Sequence, residues 1–453
     1  MPELKNVNVG PIVGATTGNS VRLWGRGKSP GENGLKVHGV ARVHVGPNDT
    51  RTQFFKMMKT WDYSGVAILS GLTSKSSYQY QVAWFLDAMD TEEIIENPPA
   101  LDWDAIDIHT FKTGSDDDDD ARSYFVGSCR YNLPWAKDDK DHTDTRGDKT
   151  FRAMVAQLDA TETSGLIMLG DQIYADILGI GAKSPKQFFR LYRGAFRQES
   201  LRALMSSVPT YMTLDDHEIE DNWPAKKGRG DVDKEVAAKY AYQAYQVSHS
   251  PLLGIANGQL DELPSKFYYE FHDGCCDFFI IDSRTERDLV EKTMISEKQL
   301  RALLAFLSRN TGRVKMVCTG VPFFPDGGKD KWSGFSDQRG KILNFIRKHK
   351  IEKVVFLSGD VHFSAAYELK CNEQKDFRVY SLVCSPFFWP FPHFGRLKHK
   401  KIQHKSKTYQ SKTIVKAYRG ENFVRLNVTP NSIQFEVYPR KNPDPVRSKA
   451  LPL

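Results

Sequence analysis

Four short stretches of this chain bring metal-binding side chains to the end of an apolar run. They are Phe125-Val126-Gly127-Ser128-Cys129-Arg130, Leu169-Gly170-Asp171-Gln172-Ile173-Tyr174-Ala175-Asp176, Thr213-Leu214-Asp215-Asp216-His217-Glu218 and Leu357-Ser358-Gly359-Asp360-Val361-His362. Each alone has a plain structural reading. Gly-Asp after a strand makes a turn, Asp caps helices, and a lone cysteine is usually a small buried hydrophobe. Together they supply a thiolate, a phenolate, imidazoles and several carboxylates. The acids of Asp215-Asp216-His217-Glu218 repel one another unless a cation sits among them. Asp360 and His362 are two apart, so in an extended chain they point to one side. Thiolate, phenolate and imidazole suit a transition metal, and phenolate favours ferric iron. Bare carboxylates suit a hard ion such as Ca²⁺, Mg²⁺ or Mn²⁺. A mixed pair fits best. Two ions ~4 Å apart stabilise the attacking and leaving oxygens of an in-line displacement, and water bound to such an ion becomes acidic enough to attack near neutral pH.

Residues so far apart in sequence meet only if their strands end in one crevice, as at the carboxyl ends of an open α/β sheet. The apolar runs at Ser123–Val126, Gly165–Leu169, Phe278–Ile281 and Val354–Leu357 read as buried strands. Helix-like stretches at 183–206, 233–247 and 296–308 separate them. This predicts a layered α/β domain over 122–440. Ahead of it, residues 1–113 alternate β-formers between Gly, Pro, Asn and Ser clusters, as in Ser20–Trp24, Val37–Val43 and Tyr78–Val82, which predicts a small β-sandwich. Gly114-Ser115 and the five aspartates Asp116–Asp120 read as a solvated linker over 114–121; a calcium loop would space its ligands apart. Residues 441–453 read as a tail. Residues 396–419 are rich in Lys and His with few acids. They read as a solvated basic loop, or as a surface that attracts a polyanionic substrate or lipid headgroups. The aromatic, Pro-rich stretch Ser385–Phe394 reads as core packing or as a wall of a substrate pocket.

The bulk composition narrows the classes. The chain has 453 residues, 40% hydrophobic, enough for two globular domains. No apolar run reaches the ~18 residues that span a bilayer, and the N-terminus lacks signal-peptide character. The expected location is the cytoplasm for the sequence as written, unless a signal was removed. The net charge of +7 fits an anionic substrate, while no stacking or groove-reading motif points to nucleic acid. Six cysteines without a CxxC pair argue against a zinc ribbon and mostly read as buried free thiols, Cys129 excepted. Nothing in the sequence sets the oligomeric state.

The ordered set Gly-Ser-Cys-Arg, Gly-Asp-Gln-Ile-Tyr-Ala-Asp, Asp-Asp-His-Glu and Gly-Asp-Val-His resembles the PhoD-like alkaline phosphatases, a branch of the calcineurin-like metallophosphoesterases. Ala241-Tyr242-Gln243-Ala244-Tyr245 and Asp282-Ser283-Arg284-Thr285-Glu286-Arg287 agree with it. Gly10–Gly14 with Val21–Trp24 resembles that family's N-terminal sandwich, and the likeness covers roughly residues 7–440. It implies an α/β/β/α metallophosphoesterase domain behind an immunoglobulin/fibronectin-like sandwich. It implies hydrolysis of a small-molecule or polymeric phosphate ester, as a phosphomonoesterase or phosphodiesterase. Residue by residue, Cys129, Asp171, Tyr174 and His362 would hold Fe(III). Asp171 would bridge to a second ion, Ca(II), or Mn or Mg in its place, completed by Asp216 and Asp360. His217 would stand near the leaving group, Arg130 would contact phosphate oxygens, and Asn222 would contact metal or phosphate. Arg284 and Arg287 would contact phosphate or form structural ion pairs. Two features depart from the family: no histidine stands in Val317–Phe323, where relatives carry a ligand, and no twin-arginine export signal is present. Two other readings stay open. One is a non-catalytic metal-containing binding protein. The other is a thiol hydrolase using Cys129 with His217 or His362, which would survive chelation.

Overall fold

Alternation of apolar and polar residues gives the N-terminal segment two faces per strand, and the strands bury one face by stacking as two antiparallel sheets. They are β1 (Lys5–Asn6), β2 (Val9–Thr16), β3 (Ser20–Arg26), β4 (Lys36–Gly46), β5 (Asp49–Lys56), β6 (Ser64–Ser70), β7 (Ser77–Asp87) and β8 (His109–Lys112). One sheet has the order β1-β7-β4-β5 with β8 on β7, the other β2-β3-β6. Val13, Val21 and Leu23 face Val37, Ala41, Val43 and Val82 between them. The structure, a computed structural model, describes residues 1–31, 34–131, 145–158, 162–176, 181–224, 232–252, 262–392 and 396–453.

The larger domain follows with β9 (Arg122–Gly127), β10 (Gly165–Leu169), β11 (Thr210–Thr213), β12 (Tyr269–Asp273), β13 (Cys276–Ile280), β14 (Val314–Thr319) and β15 (Val354–Ser358). It continues with β16 (Ser364–Cys371), β17 (Gln374–Val383), β18 (Ile402–His404), β19 (Lys407–Tyr418), β20 (Asn422–Thr429), β21 (Ser432–Pro439) and β22 (Arg447–Pro452). One sheet runs β11-β10-β9-β20-β21-β22, the other β12-β13-β14-β15-β17-β16-β19-β18. The strands that end in metal-competent residues lie in the parallel parts, β9, β10 and β11 in the first sheet and β15 in the second. The sheets face each other: Tyr124 of β9 meets Phe278 of β13 edge-on, ring centroids 5.0 Å apart. Helices Glu297–Ser308 and Ser336–Lys348 cover the far face of the second sheet, where Leu303, Phe306, Ile342 and Ile346 bury against Phe279, Val317 and Phe356. Helices Asp148–Val155, Pro185–Phe196 and Glu199–Met205 add Phe151, Phe188 and Leu201 to the first core. The result is the layered α/β/β/α arrangement behind a β-sandwich. Among the described residues no helix is long and apolar enough to cross a membrane.

Three segments differ from their sequence reading. The aspartate run is tethered. Asp118 binds Arg313, with Nε at 2.9 Å, Asp120 binds Lys75 at 2.8 Å, and the Gly18 amide donates to Asp116 at 3.2 Å. Basic partners from distant segments relieve the repulsion that argued for a free linker. The tail contains β22, paired antiparallel with β21 and burying Leu451. The basic segment 396–419 forms the hairpin β18–β19 on the edge of the second sheet, because β19 pairs with β16 along most of its length.

Asp62 ties the two domains together. Its buried carboxylate accepts from Arg26 Nε at 2.8 Å in the sandwich, and from Arg193 at 2.8 Å and Tyr245 Oη at 2.5 Å in the larger domain. Burial alone would raise its pKa, but the hydrogen bond and charge of Arg26 and the charge of Arg193 hold it below the usual carboxylate value. A depressed pKa stabilises the fold above the unfolded-state value of about 3.9, and this is lost as pH falls through the folded value. Asp62→Asn is therefore expected to lower stability at pH 7 by about 3 kcal/mol, leaving two guanidinium groups without their carboxylate. In denaturant titrations the gap from wild type should shrink below about pH 4. A gap that stays constant from pH 7 to pH 3 contradicts this role.

Candidate metal centre

Each turn leaves its strand directly into its polar residues, and backbone hydrogen bonds join the turns. Cys129 N–H donates to Gly170 O at 3.1 Å, Arg130 N–H to Asp171 O at 2.9 Å, and Ala175 N–H to His217 O at 2.9 Å. The fourth turn lies against the first so closely that a Cβ on Gly359 would stand 2.3 Å from Ser128 Oγ. Gly170 has φ +96°, and a Cβ there would meet that of Asp215 at 2.4 Å. Cys129, Asp171, Asp360 and His362 all have left-handed φ, between 52° and 69°. Non-glycine residues seldom adopt this conformation, and it persists only where surrounding contacts enforce it.

These turns gather the side chains into three overlapping groups: Cys129 with Asp171 and His362; Asp171 with Asp216 and His217; and Asp215 with Asp216 and Asp360. Within each group the ligand atoms lie within 4.8 Å of one another. Asp171 belongs to the first two groups and Asp216 to the last two. Cys129 Sγ is 3.3 Å from Asp171 Oδ2. The Tyr174 hydroxyl is buried and has no hydrogen-bond partner among the described residues. A buried phenol without a partner has lost its hydration uncompensated, and a metal ion would restore a partner to it.

Burial and the Asp216 charge push the Asp171 carboxyl well above its usual range. Asp215 is raised to about 8 by burial, against the pull of Arg284. Asp360 and the Tyr174 and Cys129 groups are raised too, first by burial. Asp216 goes the other way: burial opposes its charge, but Arg284, His217 and Lys331 outweigh it. Burial likewise opposes charge on His217, yet its hydrogen bond to Asp176 and the Asp171 and Asp216 carboxylates raise it to about 10. So many acids cannot all ionise in one buried place without added positive charge, and this donor set fits multivalent cations.

His217 Nδ1 contacts Asp176 Oδ1 at 2.8 Å, and its ring stacks on Tyr174 with centroids 4.2 Å apart. Four further candidates are Arg130, Asn222, Arg284 and Arg287. Arg130 is fully buried; its guanidinium donates to the Ala195 and Gln172 carbonyls at 3.1 and 3.3 Å and lies near the Phe151 and Phe196 rings. It braces the turns from behind, because backbone carbonyls and aromatic faces surround it on the core side. The Asn222 side chain is exposed and donates to Asp221 at 2.9 Å, while its backbone N–H donates to Asp216 Oδ2 at 2.7 Å. Arg284 and Arg287 form ion pairs: Arg284 with Asp215, Asp216 and Asp330, and Arg287 with Asp330 at 2.5 Å. The aromatic stretch divides. Phe387 and Phe388 are buried, Trp389 stacks on His362 with centroids 3.8 Å apart, and Phe391 is 50% exposed. His393 and Phe394 lie outside the described residues.

Sequence reasoning missed four residues. Glu218 accepts the backbone N–H groups of Asp171, Gln172 and Asp215 at 2.9, 2.7 and 2.9 Å and the Gln246 amide at 3.1 Å. It is a clamp between two turns. Asp176, visible two residues after Tyr174, holds His217. Asp330 and Lys331 come from the segment after β14; Lys331 Nζ is 2.6 Å from Asp360 Oδ1 and 3.1 Å from Asp330 Oδ2.

A sequence model described as PhoD-like phosphatase matches residues 142–437. Alkaline phosphatase D of Bacillus subtilis (strain 168) is 27% identical over 220 residues, which cover 42% of this chain and 37% of that protein. The match thus spans little more than a third of that relative's length. A solved structure described as "Structure of PhoD" superposes with a TM-score of 0.72 at 17% identity, covering 98% of this chain and 89% of the other. At that identity it speaks for the fold alone.

The Glu218 clamp gives a test independent of activity. Glu218→Ala removes the acceptor of three buried N–H groups and is expected to cost about 3 kcal/mol or more, read from the denaturation midpoint. A loss under about 1 kcal/mol, the level of an ordinary hydrogen bond, contradicts the clamp.

Proposed function

The chain belongs to the PhoD-like phosphatase family, and on that premise we propose that it hydrolyses phosphate esters at the cage built around Asp171. The observation that carries this reading is the sharing of Asp171 between the Cys129–His362 group and the Asp216–His217 group, the arrangement a bridging carboxylate needs. In this reading Cys129, Asp171, Tyr174 and His362 would hold a ferric ion, and Asp171, Asp216 and Asp360 would hold a second, calcium-type ion. When bound, such ions polarise the phosphoryl oxygens and supply an acidified water as nucleophile.

The chain's own residues do the rest. Glu218 and the joined turns fix the ligands before substrate arrives. Asp176 orients His217 through Nδ1 and leaves Nε2 for the substrate, where the ring can donate a proton to the departing oxygen or hydrogen-bond the phosphate. Trp389 packs against His362 and limits its movement. Asn222 remains at the rim, where its carboxamide can meet a phosphate oxygen. The substrate is a phosphate ester, either a monoester or a diester. The thiol reading is the weaker one, because Cys129 is fully buried with its Sγ 3.3 Å from the Asp171 carboxylate, whereas a catalytic thiolate sits in an electropositive, partly exposed place.

Asp171→Asn is expected to lower hydrolysis of a chromogenic phosphate ester by at least about a hundredfold with the fold intact, since even supporting residues of metal sites cost 10–100-fold. Retained turnover contradicts the bridging role. The purified protein should also show a purple tyrosinate-to-iron absorption band that Tyr174→Phe removes, and chelation followed by Ca²⁺ addition should restore hydrolysis. An iron-loaded protein without that band, or restoration only by a different ion, overturns the corresponding ligand or metal.

A further inference from the structure

The cage is uneven. Its first half is built of Cys129, Tyr174 and His362, with the His217 ring stacked on Tyr174 at 4.2 Å. Its second half, at Asp215, Asp216 and Asp360, is already lined by two cationic side chains, Arg284 and Lys331. Arg284 is fully buried; its Nε bonds Asp215 and its Nη2 stands 3.5 Å from Asp216 Oδ2. Lys331 Nζ lies 2.6 Å from Asp360 Oδ1 and 3.1 Å from Asp330 Oδ2. Its side chain is only 12% exposed. All three carboxylates of this half therefore face a resident cation.

Among the described residues, the side of β14 adds no further ligand to the second half. Thr319 pairs with Ser358, and Gly359 N–H donates to Gly320 O at 2.9 Å, so the end of β14 lies beside the Asp360 turn. The residue there is Gly320, and a Cβ on it would stand 2.6 Å from Asp215 Oδ1. No ligating side chain fits at that position. The segment after β14 supplies the lysine instead, and it is anchored. Trp332, next to Lys331, is fully buried, donates from Nε1 to Thr319 Oγ1 at 3.2 Å, and packs on Phe323 at 5.1 Å. Asp330 is fixed by Arg284 at 3.0 Å and Arg287 at 2.5 Å. Lys331 is thus held over Asp360 from both sides.

We propose that Lys331 is a resident cation of this half of the cage, holding Asp360 where a second divalent ion would otherwise bind firmly. The chain then keeps one ion tightly, at Cys129, Asp171, Tyr174 and His362, and takes a second only weakly, after Lys331 has left Asp360. Lys331 is a positioning residue here, and the inference rests on the metal cage proposed above. It also yields a specific chemical expectation: positive charge on the Asp360 side is supplied partly by protein, so the enzyme depends less on free divalent ions than a site of bare carboxylates would.

The test uses the full chain loaded with iron and desalted. Metal content is measured by elemental analysis, and Ca²⁺ or Mn²⁺ is titrated in by calorimetry. Wild type should retain one ion per chain. Lys331→Met should bind the divalent ion at least about tenfold more tightly, because a like charge has been removed from the site. Lys331→Arg, which keeps the charge, should not. Two firmly retained ions in wild type overturn the proposal whether or not the variants fold. So does a folded Lys331→Met that binds the divalent ion no more tightly. Absence of both iron and the tyrosinate band in wild type instead removes the cage reading itself, and this proposal with it.

Discussion

The structure is organised around a set of carboxylates confined at the ends of parallel strands. Charges 4–5 Å apart near a protein site interact by roughly 3–4 kcal/mol at an effective dielectric of about 20, so the acidic groups converging on Asp171 and Asp216 cannot share their space as bare anions. Their neighbours answer this constraint in different ways. Three backbone N–H groups and an amide satisfy Glu218. Arg284 is shared among Asp215, Asp216 and Asp330. Among the described residues Asp171, with Cys129 and Tyr174 beside it, forms no ion pair with a lysine or arginine, and this is where an external cation of high charge is most needed.

The sandwich belongs to the same arrangement. Trp24 Nε1 donates to the Ala244 carbonyl at 2.8 Å, and the neighbouring Tyr245 donates to Asp62. Gln246 comes next, and its amide reaches Glu218 at 3.1 Å. Three successive residues of the π-helical stretch Gln243–Val247 thus link the sandwich on one side to the clamp between the Asp171 and Asp215 turns on the other. The first domain braces the segment that holds the ligand turns, besides covering apolar surface with Val9, Ile12 and Trp24.

Much of this was legible in the sequence, for local reasons. Apolar runs of four to six residues ending in Gly-Asp or Asp-Asp-His-Glu announce both a buried strand and a polar turn at its end. That is enough to place Asp171, Asp216, Asp360 and His362 in one crevice. What escaped depends on distant partners. β22 exists because β21 offers an edge, and the Lys-rich β19 is a strand because β16 pairs with it; in both segments charge and polarity hid the β-formers. The direction of Arg130 follows from the Ala195 carbonyl and two aromatic rings in other segments. Lys331 lies 29 residues before Asp360, outside any recognisable pattern, and only the anchoring of Trp332 brings it to the cage.

The central claim is that separated turns build one mixed-donor cage in which a sulfur and a phenolate share an ion with Asp171. X-ray absorption at the iron edge of the purified protein addresses it most directly. The account predicts one sulfur bound to iron together with oxygen and nitrogen neighbours, and loss of the sulfur signal in Cys129→Ser. Iron surrounded by oxygen and nitrogen alone in the unaltered chain would contradict it.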